Sequence, residues 1–209
     1  MMFTLDIQRT AVICIDFQTG VFTGECALAY VGAAEVLPKA KHVLAAARAV
    51  KLPIIHLQEV HRQEMVDFGR ELDGAEPVHC LETWESTQFH PELAPIAGEF
   101  TICKRRYSSF FGTDLEILLR GLKVDTLVLM GSMTNVCVHY TAVDAHQRDY
   151  HFHVIEDCCI GSNWEAHWAA LNAMTYLQKQ ARIHHHEFVE AVETGCCVSN
   201  MTDQRLIVG

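Results

Sequence analysis

The chain has 209 residues, half of them hydrophobic and a fifth charged, the balance of a compact soluble protein long enough to bury a core without staples. Sixteen basic against twenty-six acidic residues leave a formal charge of −10, which disfavours a phosphate-backbone partner. Apolar runs such as Leu127–Met130 are far too short to span a bilayer. Met1–Gln8 lacks the basic start and apolar centre of a signal peptide, so the expectation is one cytoplasmic domain over 1–209, with neither nucleic acid nor membrane as partner. The nine cysteines include the adjacent pairs Cys158-Cys159 and Cys196-Cys197 and no Cys-x-x-Cys, as for reduced thiols serving mainly as small buried hydrophobes.

Strand-like and helix-like segments alternate along the chain. Thr10–Ile15 is a short β-branched run ending at Asp16, Ala33–Lys51 reads as a helix, and Pro53–Leu57 as a second strand. From Glu59 to Pro95 no periodicity holds; a long irregular segment of this kind suits a cap over an active site or an oligomer contact. Phe100–Cys103 is a third strand, followed by Lys104. Thr113 and Glu116 have the spacing of a capping box, with Leu115, Leu118, Leu119 and Leu122 continuing on one helical face. Asp125–Met130 is a fourth strand, Cys137–Asp149 a helix with a small-residue face, and His153–Ile155 a fifth strand. Trp164–Gln180 is a long helix and Arg182–His185 a last, polar strand, while the histidines from His184 to His186 are placed on a polar face. The alternation predicts a doubly wound α/β fold, mostly parallel, with helices on both faces.

Three polar residues end or follow predicted strands: Asp16, Lys104 and, a short loop beyond the fourth strand, Cys137. Open α/β sheets bind ligands outside the carboxyl ends of their strands, so this topology gathers an acid, a base and a thiol at one rim. Singly, each has a plainer role: a turn residue, a solvated charge, a buried hydrophobe. The loop Gly131-Ser132-Met133-Thr134-Asn135-Val136-Cys137 is more specific. A thiol at a helix start is expected to have a lowered pKa, and the backbone N–H groups there can receive an oxyanion. Phe17, Gln18, Tyr107, Phe110, Phe111 and Asn135 flank these motifs and are the candidates for contacting a substrate, with core packing or loop capping as their other roles.

Asp16 within Ile-Asp-Phe-Gln, Lys104 after the third strand, and the loop to Cys137 with Val-His-Tyr-Thr-Ala-Val-Asp-Ala behind it resemble the three signatures of the isochorismatase-like hydrolases. The family includes nicotinamidases, N-carbamoylsarcosine amidases, ureidoacrylate amidohydrolases and biuret hydrolases. The resemblance runs from about Thr10 to Gln180 and implies catalytic roles for Asp16, Lys104 and Cys137. It also implies a cis peptide between Ser132 and Met133, with the N–H groups of Met133 and Cys137 as the oxyanion hole. The chemistry so implied is thioester-mediated hydrolysis of a small carboxamide or ureido C–N bond, releasing ammonia without a cofactor, in a homo-oligomer. The same family contains vinyl-ether hydrolases, which lack a cysteine nucleophile, and a non-catalytic binding or redox protein on this fold is the third alternative.

Ile55–Arg62 and Ile155–Cys159 resemble biuret hydrolases, Arg106–Phe111 ureidoacrylate amidohydrolases, and Pro77-Val78-His79-Cys80 nicotinamidases. The first two tilt the expected substrate toward ureido or biuret-like compounds, with Arg62, Arg105 and Arg106 as candidates for holding a distal carboxylate. Nicotinamidases carry a metal on positions that correspond to Glu59, His61 and His79. Here Glu replaces Asp and Arg62 lies nearby, so the expectation is no metal, with Glu59 paired to Arg62 and both histidines as polar cap residues.

Overall fold

The computed structural model describes residues 3–24, 28, 30–74 and 76–194. The elements in order are β1 (Thr10–Ile15), α1 (Thr19–Thr23), α2 (Ala33–Ala49), β2 (Ile54–Glu59), β3 (Phe100–Lys104), α3 (Leu115–Gly121), β4 (Thr126–Ser132), α4 (His139–Gln147), β5 (His151–Ile160), α5 (Trp164–Leu177), β6 (Arg182–Ile183) and α6 (His185–Glu193). The six strands form one sheet in the order β3-β2-β1-β4-β5-β6, every neighbouring pair parallel. This is the predicted doubly wound α/β architecture.

A parallel strand covered on both faces needs apolar side chains on both, and all six residues of β1 are buried. Successive side chains point to opposite faces. Val12 and Cys14 join Val128 and Met130 under α2 and α6, through Val43, Leu44, Phe188 and Val192. Ala11, Ile13 and Ile15 join Leu127 and Leu129 under α3, α4 and α5, through Leu115, Leu119, Ala142, Ala145 and Leu171. The central strands are thereby held from both sides, which fixes the rim where they end. Among the described residues no helix is long and apolar enough to cross a membrane.

Several boundaries depart from expectation for local reasons. The Thr113–Glu116 capping box does not form: Asp114 is the N-cap of α3, and Glu116 turns instead to Arg120 at 2.6 Å and Arg148 at 3.2 Å. The predicted helix from Cys137 is preceded by a π-helical turn, Thr134–Val138, and α4 begins only at His139. β5 is ten residues long, because Glu156 and Asp157 are accommodated in it by Arg182 at 2.5 Å and the His185 ring at 2.6 Å. The last strand stops at Ile183, and His184 caps α6, where the Glu187 carboxylate accepts from the His184 N–H at 2.7 Å. The histidine run thus opens a helix that the sequence pattern did not reveal. Cys26, Cys196 and Cys197 lie outside the described residues.

The irregular segment after β2 holds two short 3₁₀ turns, Glu71–Asp73 and Glu85–Thr87. Bridges from His61 to Leu81 and from Gln18 to Phe89 tie it to the strand ends. On the other side of the sheet edge, Glu99 joins α2 to β2. It accepts from Arg48 at 2.7 Å, the Ile96 N–H at 2.9 Å and His56 at 2.9 Å, with its side chain 8% exposed. Burial alone raises this carboxyl, but Arg48, the Ile96 N–H and His56 outweigh it and hold the pKa at about 2.

A carboxyl depressed in the folded state stabilises it above the unfolded value, about 4.5, and that contribution is lost as pH falls toward the folded one. Glu99→Gln is therefore expected to destabilise the protein by about 2–3 kcal/mol at neutral pH. The difference between variant and parent should shrink as pH falls from about 4.5 toward about 2. Urea unfolding across that range checks both.

Candidate active site

The sheet order reverses between β1 and β4, where connections leave in opposite directions and a crevice opens at the carboxyl ends. Asp16 leaves β1, Glu59 and Lys104 end β2 and β3, and the Cys137 turn follows β4. Gly131 permits the close approach of β4 to β1: its φ is +141°, and a Cβ there would sit 2.0 Å from the Ile15 carbonyl oxygen. The Ser132–Met133 peptide is cis, as the resemblance implies. Two side-chain contacts to the segment after β5 fix the turn that carries the thiol. Thr134 Oγ1 lies 2.9 Å from His167 Nδ1, and Asn135 exchanges hydrogen bonds with Ser162 at 2.9 and 3.0 Å.

Lys104 is wholly buried at the centre of the cluster. Its Nζ lies 2.8 Å from Asp16 Oδ2, 3.3 Å from Cys137 Sγ and 3.5 Å from Glu59 Oε2. The other Asp16 oxygen accepts the Glu59 N–H at 2.8 Å, and the Asp16 carbonyl accepts the Ser132 hydroxyl at 3.0 Å. The thiol also faces Glu59 Oε2 at 3.8 Å. Burial opposes the lysine's charge, yet Asp16, Cys137 and Glu59 outweigh it and hold the ammonium well above the ordinary lysine value. Burial lifts Asp16 to about 6 against the pull of Lys104. Glu59, although also buried, is drawn down to about 2 by Lys104 and the neighbouring imidazoles.

The thiol differs from expectation. Burial pushes Cys137 well above the ordinary cysteine value, with Lys104 pulling against it and Glu59 and Asp16 adding to the rise. Desolvation among carboxylates dominates any effect of the short turn. The resting sulfur is therefore protonated, with an acceptor and a cation beside it.

The remaining candidates separate clearly. Gln18 and Tyr107 line the crevice with Asp16, Met133 and Cys137. The Gln18 amide donates to the Glu59 carbonyl at 3.0 Å and the Thr87 carbonyl at 2.7 Å, fixing the rim. Phe17 and Phe110 are buried in the two cores, Phe111 is 64% exposed, and Asn135 is taken up by Ser162; none of these lines the crevice. Arg62 pairs with Asp67 at 2.8 Å, not with Glu59. His61 and His79, in the segment expected to form a cap, are both buried. Glu59 obeyed the same strand-end rule as Asp16, so its place at the thiol had a signal in the sequence. Glu71 and Glu76, which also converge here, sit in the aperiodic segment and had none.

Glu59, His61, Glu71 and His79 each bring one donor atom to within 4.8 Å of all the others. His61 Nε2 stands 3.3 Å from Glu71 Oε2 and 3.8 Å from Glu59 Oε1, and these buried atoms make no hydrogen bond among the described residues. His79 bonds the Pro77 carbonyl through Nδ1 at 2.7 Å, which turns its Nε2 inward, as a hydrogen bond on the far ring nitrogen does for metal-binding imidazoles. Three buried carboxylates, on Asp16, Glu59 and Glu71, lie in or beside this cluster, and among the described residues Lys104 is its one buried ammonium. Two imidazoles and two carboxylates with that charge excess fit a divalent transition metal. Of the two grounds for expecting no metal, the Glu59–Arg62 pair is not formed, while Glu still stands in place of Asp at position 59.

The chain matches the isochorismatase domain family over residues 10–187. It is 30% identical over 166 residues to a maleamate amidohydrolase of Pseudomonas putida, with 78% of each chain covered. A cysteine hydrolase of Pseudomonas syringae pv. phaseolicola superposes with a TM-score of 0.84 at 25% identity, covering 92% of this chain and 96% of that one. An N-carbamoylsarcosine amidase of Thermoplasma acidophilum gives 0.73 at 25% identity, covering 85% and 96%.

Purified protein is expected to contain about one equivalent of zinc, iron or manganese by elemental analysis, and a strong chelator is expected to lower its melting temperature. Metal-free protein whose melting is indifferent to chelator would instead leave protonated His61 as the counter-charge. In that state Glu59 and Glu71 outweigh burial and lift the His61 pKa to about 9.

Proposed function

Because the chain belongs to the isochorismatase family, we propose that this hydrolase cleaves the C–N bond of a small carboxamide or ureido compound, with Cys137 as nucleophile. The observation that carries this reading is the single buried ammonium of Lys104 touching both the Asp16 carboxylate and the Cys137 sulfur. A cation so placed keeps Asp16 ionised before reaction and offsets the charge on sulfur after its proton has moved.

The thiol starts protonated, so its proton must leave as sulfur attacks the substrate carbonyl. Two carboxylates are near, and they are shifted in opposite directions: burial raises Asp16, while Lys104 and the neighbouring imidazoles draw Glu59 down. Asp16 is the better acceptor at neutral pH. The oxyanion is received by the N–H groups of Met133 and Cys137. Asp16 then returns the proton to the leaving nitrogen, ammonia departs, and a Cys137 thioester remains. A water activated by Asp16 hydrolyses it, releasing the acid and restoring the thiol. A divalent ion held by Glu59, His61, Glu71 and His79 would supply electrophilic polarisation beside the thiol.

Cys137→Ala is expected to abolish ammonia release with the fold retained, since it removes one sulfur atom from a core of large side chains. Asp16→Asn and Lys104→Met should each lower kcat by roughly a thousandfold or more, and the double variant should lose little beyond either single one. Steady-state kinetics on the three variants, with circular dichroism to confirm folding, decides the matter. Losses that multiply would contradict a shared proton.

A further inference from the structure

The crevice beside Cys137 measures about 420 Å³ counted out to its open mouth, but only about 20 Å³ admits the centre of a water molecule. It is narrow, and its wall has one sign of charge. Asp16, Glu59 and Glu76 line it, and among the described residues no lysine or arginine does. Lys104 stands behind the wall, already opposed by Asp16 and Glu59.

The arginines nearest in sequence are spent elsewhere. Arg62 and Arg105 both grip Asp67, at 2.8 and 3.1 Å, and Arg105 also donates to the Val60 carbonyl. Arg106 donates to the Asp67 carbonyl at 2.5 Å and to the Arg105 carbonyl. It is wedged over Gly69, where a Cβ would lie 2.3 Å from the guanidinium. None of the three can hold a distal carboxylate without breaking these bonds.

Glu76 differs from the other two acids. Its side chain is 15% exposed, it accepts the Tyr107 hydroxyl at 3.1 Å, and its nearest basic group is the His79 ring at 3.9 Å. Were a divalent ion present on the Glu59–His79 cluster, it and Lys104 would together offset Asp16, Glu59 and Glu71. Glu76 would still face no lysine or arginine among the described residues of the crevice wall. Without the ion the excess of negative charge is larger.

We propose that this crevice selects uncharged amides or ureides over carboxylate-bearing ones, and that Glu76 is the specificity-determining residue. The inference rests on the amidase reading above and names its substrate class. Glu76, oriented by Tyr107, accepts N–H donors from the end of the substrate remote from Cys137 and repels a carboxylate placed there. A planar diamide or a terminal ureide meets both demands, narrow shape and distal donors.

The test is a matched pair that differs only in the distal group, a neutral N–H-donating amide against a carboxylate: maleamide against maleamate, followed by ammonia release. Wild-type protein is expected to prefer maleamide by about tenfold or more in kcat/KM, with the difference in KM, as for an interaction felt equally in ground and transition states. Glu76→Gln should raise kcat/KM for maleamate and bring the ratio toward unity, and Tyr107→Phe should move it partway. A gain on the anion cannot come from misfolding. Preference of wild type for maleamate, or an unchanged ratio in Glu76→Gln, overturns the proposal and leaves the amidase reading standing. Calorimetric binding of the same pair to Cys137→Ser separates the two in the other direction. Tighter maleamide binding with no ammonia from either compound supports the selectivity and sinks the amidase reading.

Discussion

The rim of this protein is organised around one buried ammonium. Lys104 lies within 3.5 Å of two carboxylates and a sulfur, with its side chain wholly buried. Removing such charges from solvent costs several kcal/mol each, and the cluster persists because each partner is fixed by backbone as well as by charge. Asp16 is held by the Glu59 N–H and by Ser132, and Glu59 pairs in register with Lys104 across β2 and β3. Three adjacent strands thus converge on one cation, and the fourth delivers the thiol to it. Loss of the ammonium would leave like charges buried side by side.

The stability to support this comes from the two apolar layers that clamp β1 and β4. Small residues let the chain on either side of Cys137 approach closely: Ala142 and Ala145 of α4 are fully buried against the sheet, and Gly131 brings the end of β4 against Ile15. A polar cluster that costs folding energy is carried at the ends of strands clamped by apolar packing, an arrangement in which function opposes stability. The segment between β2 and β3 then closes the rim with further acids, so that one short stretch supplies the cluster at Glu59, His61, Glu71 and His79 and the crevice wall at Glu76.

Much of this was legible before any coordinates. Unbroken apolar runs located β1 and β4, because a doubly buried strand must be apolar throughout, and the rule that open sheets bind at strand ends singled out Asp16, Lys104 and Cys137. What escaped was set by contacts distant in sequence. Glu116 prefers arginines on α3 and beyond α4 to the cap of its own helix, and β5 runs on through Glu156 and Asp157 because Arg182 and His185 arrive to pair with them. The roles of Phe17, Phe111 and Asn135 depended on which way a loop side chain turned, which neighbouring residue types do not specify. Arg62 illustrates the same limit: its partner is Asp67, five residues on, rather than Glu59. The thiol's environment was the largest miss, since proximity to a helix start suggested a lowered pKa while burial among acids raises it.

The central claim is covalent: the sulfur beside Lys104 carries the acyl group during turnover. Acid-quenching the enzyme in the presence of an amide it cleaves, then mapping its peptides by mass spectrometry, tests this most directly. The account predicts an acyl adduct confined to the peptide containing Cys137, labile to hydroxylamine and absent from Cys137→Ala. An adduct on another cysteine, such as Cys80 in the crevice wall, or undiminished turnover by Cys137→Ala, would contradict it.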